Sequence, residues 1–113
     1  MLDNIRAHAR QIAVSPQKVR LVIDLVRGKS VLEAMDILKF TPNRAAQPVS
    51  KVLASAMANA EENFGVSRDD LYVYRIFADN APTRRWRRFG ARGRFKPILR
   101  RSSHITVILR EQE

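Results

Sequence analysis

Residues 80–110 read NAPTRRWRRFGARGRFKPILRRSSHITVILR and contain no Asp or Glu. Ten of the chain's 21 basic residues lie here: Arg84, Arg85, Arg87, Arg88, Arg92, Arg94, Lys96, Arg100, Arg101 and Arg110. All 11 carboxylates lie elsewhere, matched by the other 11 cations, so the whole formal charge of +10 resides in this one stretch. An ordinary solvated face mixes signs, because uncompensated like charges repel and destabilise a compact state. Such a stretch is built to meet a polyanion.

Nine of the ten cations are Arg. A guanidinium forks onto phosphate oxygens and stacks on flat rings, which an ammonium cannot do. Trp86, Phe89 and Phe95 are interleaved among them. Cationic forks alternating with aromatic rings suit folded or partly unstacked RNA, whose loops and bulges offer both phosphates and free base faces. A charge run is more usually a solvated tail. Here two strand-like segments bracket it instead of a chain end.

The first bracket, 71–78 (LYVYRIFA), is rich in aromatic and β-branched residues. The second, 104–110 (HITVILR), alternates with Ile105, Val107 and Leu109 on one face, and both predict strands. A hairpin with these strands as its base turns near Gly90 to Gly93, where glycine supplies the positive φ angles that a Cβ resists. About twelve residues per arm then lie beyond the packed part, a reach of roughly 40 Å at ~3.3 Å per residue. Division into a globular body, 1–79 with 103–113, and an arm, 80–102, follows. With no core of its own, the arm is expected to be mobile alone and ordered against its partner.

At 113 residues with 45% hydrophobic content, the chain suits one domain with a modest core. The absence of cysteine removes disulfides, thiolate metal sites and Cys nucleophiles together. The N-terminal MLDNIRAHAR lacks the apolar centre of a signal peptide, and no apolar run approaches the ~20 residues that span a bilayer. A cytoplasmic protein is expected.

In the body, 5–14 alternates loosely, with Arg6, His8 and Arg10 opposite Ala7 and Ala9, and predicts a strand that extends the basic surface. His8 is taken as a surface histidine. Ser15-Pro16 opens a helix over 16–27 with Ser15 as N-cap and Gly28 closing it. Its polar side offers Lys18, Arg20 and Arg27, then Lys29, against Asp24 alone, a surplus suited to phosphate. Ser30 with Glu33 forms a capping box for a second helix, 31–39, with Leu32, Met35 or Ala34, Ile37 and Leu38 inward. Thr41-Pro42 signals a third helix to about residue 63, striped by Ala45, Ala46, Val49, Val52, Leu53, Ala56, Met57 and Ala60. Pro48 implies a kink or a late start. The sum is an α+β domain, three helices packed on a small three-stranded antiparallel sheet, with a long β-hairpin arm. Six carboxylates, Glu33, Asp36, Glu61, Glu62, Asp69 and Asp70, form an opposite flank.

Catalytic chemistry finds little support. Ser102-Ser103-His104 places hydroxyls beside an imidazole, but neighbours in a strand point to opposite faces and only Asp79 is nearby to close a triad. A hydroxyl-rich strand start is the better account. No His or carboxylate cluster has metal-ligand spacing, and Gly90 and Gly93 lack the Lys-Ser/Thr ending of a phosphate loop. No cofactor, metal or enzymatic activity is expected.

Several motifs taken together resemble the L twenty-two family of bacterial large-subunit ribosomal proteins. They are Ser15-Pro16-Gln17-Lys18-Val19-Arg20-Leu21-Val22, Asp24-Leu25, Arg27-Gly28-Lys29, Ala56 with Ala58-Asn59-Ala60-Glu61 and Asn63, and Asp79 with Pro82. Ala91-Arg92-Gly93-Arg94 and, after a further nine residues, His104-Ile105-Thr106-Val107 complete the set. The resemblance implies three helices on a three-stranded sheet and a hairpin threaded through 23S ribosomal RNA, bound early in assembly. It implies a body on the subunit surface beside neighbouring ribosomal proteins, and no homo-oligomer. It makes Lys18, Arg20, Arg27 and Lys29 of the body RNA contacts, with Arg84, Arg85, Trp86, Arg87, Arg88, Phe89, Arg92 and Arg94 as the arm's tip and flanks; the strand alternation adds Arg6 and Arg10 to the expected contacts, and the charge run adds Lys96, Arg100 and Arg101. The tip, Arg87, Arg88, Phe89, Gly90, Ala91, Arg92 and Gly93, would line the exit tunnel beside the nascent polypeptide. Gly90 stands where the family usually has Arg or His, and Trp86 and Phe89 are bulkier than its usual tip.

Composition alone also admits a DNA architectural protein, whose basic β-arm would enter a minor groove with Phe89 or Pro97 as a wedge. An RNA-acting enzyme depending on His8 or His104 is the remaining alternative.

Overall fold

The structure, a computed structural model, describes residues 5–81 and 102–112 together with the backbone of 84–89 and 95–100. Its elements are β1 (Arg6–Ile12), α1 (Pro16–Val26), α2 (Val31–Lys39), α3 (Ala46–Phe64), a 3-10 turn (Arg68–Asp70), β2 (Leu71–Asn80), β3 (Arg84–Phe89), β4 (Phe95–Arg100) and β5 (Ser103–Glu111). β5 lies between β1 and β2, antiparallel to both. The α+β domain expected from the sequence is the fold adopted: three helices cover one face of this three-stranded sheet.

Alternation sets the register. Val107 pairs with Ala7 on one side and Ile76 on the other, and Ile105 with Ala9 and Ala78. These apolar rows face the helices, and a slip of one residue would turn every one of them to solvent. Against them α3 lays Val49, Leu53, Ala56 and Ala60, all fully buried. The two alanines let the helix backbone approach the sheet closely, and all eight residues of the predicted α3 stripe are buried.

Three local details differ from expectation. α3 begins at Ala46, not after Thr41-Pro42. Pro48 thereby falls in the first turn, where its missing N–H is one of the groups that would lack a helical partner anyway. Thr41 instead donates from Oγ1 to the Ile37 carbonyl at 2.6 Å, ending α2, and Asn43 Oδ1 accepts from the Ala45 N–H at 2.9 Å. Second, Ser15 occupies the N-cap of α1 without a side-chain capping bond. Ser30 does cap α2, accepting from the Glu33 N–H at 3.3 Å. Third, Leu32 is 43% exposed. Val31 is buried in its place, while Ala34 and Leu38 are buried as expected and Met35 and Ile37 pack partly buried against the core.

α3 ends on Gly65 at φ +63°, with the Val66 N–H bonded back to the Ala60 carbonyl at 3.1 Å. This is the left-handed helix stop for which glycine carries no steric penalty.

Beyond the sheet, β3 pairs with β4 from Arg84↔Arg100 to Phe89↔Phe95. The Ala81 N–H donates to the Ser102 carbonyl at 3.1 Å, carrying the pairing outward from Asn80↔Ser103. The turn expected at Gly90 to Gly93 lies outside the described residues. The molecule measures 64 × 26 × 17 Å with a radius of gyration of 17.0 Å, against about 13 Å for a compact chain of this length.

Candidate nucleic-acid interface

The body presents basic groups on two sides of β2. Along its outer edge runs α1. Arg20 donates from Nε and Nη2 to the Ala78 carbonyl at 3.2 and 2.8 Å. Arg27 donates from Nη2 to the Ile76 carbonyl at 3.0 Å and from Nη1 to Asp24 at 2.8 Å. Further along, the Gly28 N–H bonds the Val73 carbonyl at 3.1 Å, the Val73 N–H bonds the Lys29 carbonyl at 2.8 Å, and Ser30 bridges Tyr72. Gly28, at φ +79°, makes the turn that brings this segment alongside. An edge that would otherwise offer a row of unpaired carbonyls is closed by backbone and guanidinium donors. Each guanidinium has five N–H donors, so Arg20 and Arg27 are fixed in place with donors to spare. Lys18 is exposed and Lys29 half-buried, with no side-chain bond among the described residues.

The second side is the sheet face turned away from the helices. Register places its residues in rows: His8, Thr106 and Phe77 in one, Arg6, Ile108 and Arg75 in the next. Arg110 pairs with Tyr72, and Asp79 with His104. His8 Nδ1 and Thr106 Oγ1 lie 3.0 Å apart. Tyr72 and Tyr74 meet edge to face at 6.4 Å, and the Arg110 guanidinium sits 3.4 Å from the Tyr74 ring centroid with that of Arg75 at 5.4 Å. No hydrogen bond or ion pair among the described residues engages the side chains of Arg6, Arg10 or Arg75.

Arg6 and Arg10 stand where the alternation of 5–14 puts them, while Tyr72, Tyr74, Arg75 and Phe77 went unread as surface. The cause is a β-bulge between Val73 and Arg75, which shifts the inward residues from Leu71 and Val73 to Ile76 and Ala78. That change of apolar spacing from two to three was the available signal.

Of the arm residues expected to bind RNA, Arg84, Arg85, Trp86, Arg87, Arg88 and Phe89 lie on β3, and Lys96 and Arg100 on β4. Arg92, Arg94, Arg101 and the tip residues Gly90, Ala91 and Gly93 lie outside the described residues. Half of the twelve paired strand residues are cations and none is an acid. A further basic feature is a groove of about 370 Å³ between the end of β1 and the start of α3, lined by Arg44 and Lys51 over Ile12, Val14 and Val52.

The acidic flank lies elsewhere. Arg68 donates from Nε to Glu61 Oε1 at 2.6 Å, and this bond holds the Glu61 carboxyl below its ordinary range. The hydroxyl-imidazole cluster at the start of β5 is occupied structurally. Ser103, fully buried, donates to the Val14 carbonyl at 2.9 Å, and His104 Nδ1 accepts the Gln11 N–H at 3.0 Å. That second bond fastens the β1 bulge, where Gln11 takes φ +54°. Among the described residues no group of three or more His, Asp or Glu could hold a metal ion, and no helix is long and apolar enough to cross a membrane.

The family model for ribosomal protein L22p/L17e matches residues 7–110. The large ribosomal subunit protein uL22 of Streptococcus pyogenes serotype M6 is 48% identical over 111 residues, covering 98% of this chain and 97% of that protein.

Proposed function

Since the chain belongs to the ribosomal protein L22p/L17e family, we propose that it is a structural constituent of the large ribosomal subunit, in the cytoplasm, that binds 23S ribosomal RNA and supports its assembly. The β3–β4 hairpin enters the folded RNA, and its tip lines the nascent-peptide exit tunnel. The body stays at the surface beside other ribosomal proteins. One observation carries this: a strand pair half made of cations, without a single carboxylate, belongs to a chain whose charges outside residues 80–110 balance. Six like charges on so short a ribbon repel one another and are stabilised by interleaved phosphates.

The functional groups lie on the backbone-paired arm and on α1 next to it. Arg20 and Arg27, pinned on β2 carbonyls, are preorganised for phosphate, and Lys18 and Lys29 add unpinned charge. Binding at matched salt decides between partners. The chain should prefer a structured large-subunit rRNA fragment over duplex DNA of equal length, and the reverse preference would favour a DNA architectural role.

A further inference from the structure

The open face of the β1–β5–β2 sheet combines aromatic planes with cations that little opposing charge offsets. Phe77, on the edge strand β2, is 38% exposed, opposite Thr106 and one row from Arg75 and Arg6. Tyr74, at the bulge, is half-buried and has the Arg110 guanidinium over one face of its ring. Rings and arginines are enriched at protein and RNA interfaces alike, and the uncompensated charge selects the polyanion: among the described residues Arg6, Arg10 and Arg75 have no ion pair, and Asp79 is the one acid in the adjoining rows. A duplex keeps its base faces stacked inside, so exposed rings would gain nothing from it. An unpaired strand offers base faces to the rings and phosphates to the guanidinium groups at once.

We infer that this sheet face is a stacking platform for unpaired RNA nucleotides, with Phe77 as the principal stacking side chain and Arg6 and Arg75 as phosphate partners. The inference rests on the rRNA-binding function proposed above, and it locates a second contact on the body. The arm holds duplex and single-stranded RNA through its charge and has rings of its own in Trp86, Phe89 and Phe95, so the effect of substituting Phe77, not the wild-type preference, isolates the platform.

The test uses the full chain and two labelled probes at matched salt, an unstructured oligouridine and an RNA duplex of the same length. Phe77→Ala should weaken oligouridine binding by about 5- to 150-fold, the range found when a stacking side chain is truncated, and change duplex binding less than about 2-fold. Phe77→Trp should restore it. Paired Arg87→Ala and Arg88→Ala substitutions in the arm should weaken both probes. A 5-bromouridine probe should photocrosslink to the wild-type protein within residues 71–80. If Phe77→Ala leaves oligouridine binding intact and no crosslink falls in that segment while the arm variant still weakens both probes, the platform is wrong and rRNA binding stands. If the wild-type chain binds neither probe, both fall.

Discussion

Arg20 reaches across from α1 to place two of its N–H groups on a single oxygen, the carbonyl of Ala78 on β2, at 3.2 and 2.8 Å. The contact closes the outer edge of the sheet at the base of the hairpin, so one side chain both secures the fold and presents charge where the arm leaves the body.

The two roles separate by substitution. Arg20→Ala removes the donors to the Ala78 carbonyl and should cost about 1 kcal/mol, as for a partly exposed hydrogen bond. Arg20→Lys keeps the charge but not the forked geometry. It should recover rRNA affinity more fully than it recovers the urea midpoint. Equal recovery of both would mean that fold and binding do not draw on Arg20 differently.

Much of this was legible in the sequence because it depends on periodicity. Val49, Leu53, Ala56 and Ala60 at helical spacing, and Ile105, Val107 and Leu109 at strand spacing, mark the two faces of the core whatever their partners. Cross-chain bonds were not legible. That Arg20 and Arg27 end on β2 carbonyls, or that Ser103 reaches Val14, depends on elements far apart in sequence. The outward placement of Tyr72, Tyr74, Arg75 and Phe77 was legible only in the apolar spacing of Leu71, Val73, Ile76 and Ala78, since a bulge reverses the phase of a strand through one residue whose own identity does not mark it. Pro48 signalled a change at the start of α3 without saying which of two outcomes it would be.

The Glu61–Arg68 pair gives a pH signature. Its bond depresses the Glu61 pKa in the folded chain. The stability it contributes is therefore present in full above the ordinary carboxylate value and lost as pH falls through the lowered one. Glu61→Gln should lower the urea midpoint slightly at neutral pH, the pair being on the surface, and the gap should close in strong acid. A gap that stays constant with pH would show that the substitution acts through something other than this charge.

Removing residues 83–100 takes away eight cations and no acid. The body keeps all of the buried core and should unfold in one cooperative step. Its rRNA affinity should drop steeply, and the slope of log K against log salt should shrink by about 0.7–0.9 for each phosphate that the shortened chain leaves unneutralised. An unchanged slope would mean that the arm is not where counterions are released, and loss of cooperative unfolding would mean that body and arm are not separable. Amide exchange of the intact free protein should show α3 protected and the arm open.

The central claim is that an acid-free ribbon on a neutral body is made to be embedded in ribosomal RNA, and sedimentation tests it most directly. Tagged full-length chain, expressed in bacterial cells and carried through a high-salt wash, should remain with the large subunits, while the chain lacking 83–100 washes away. Release of the full-length chain by the same wash, or equal retention of both, would contradict it.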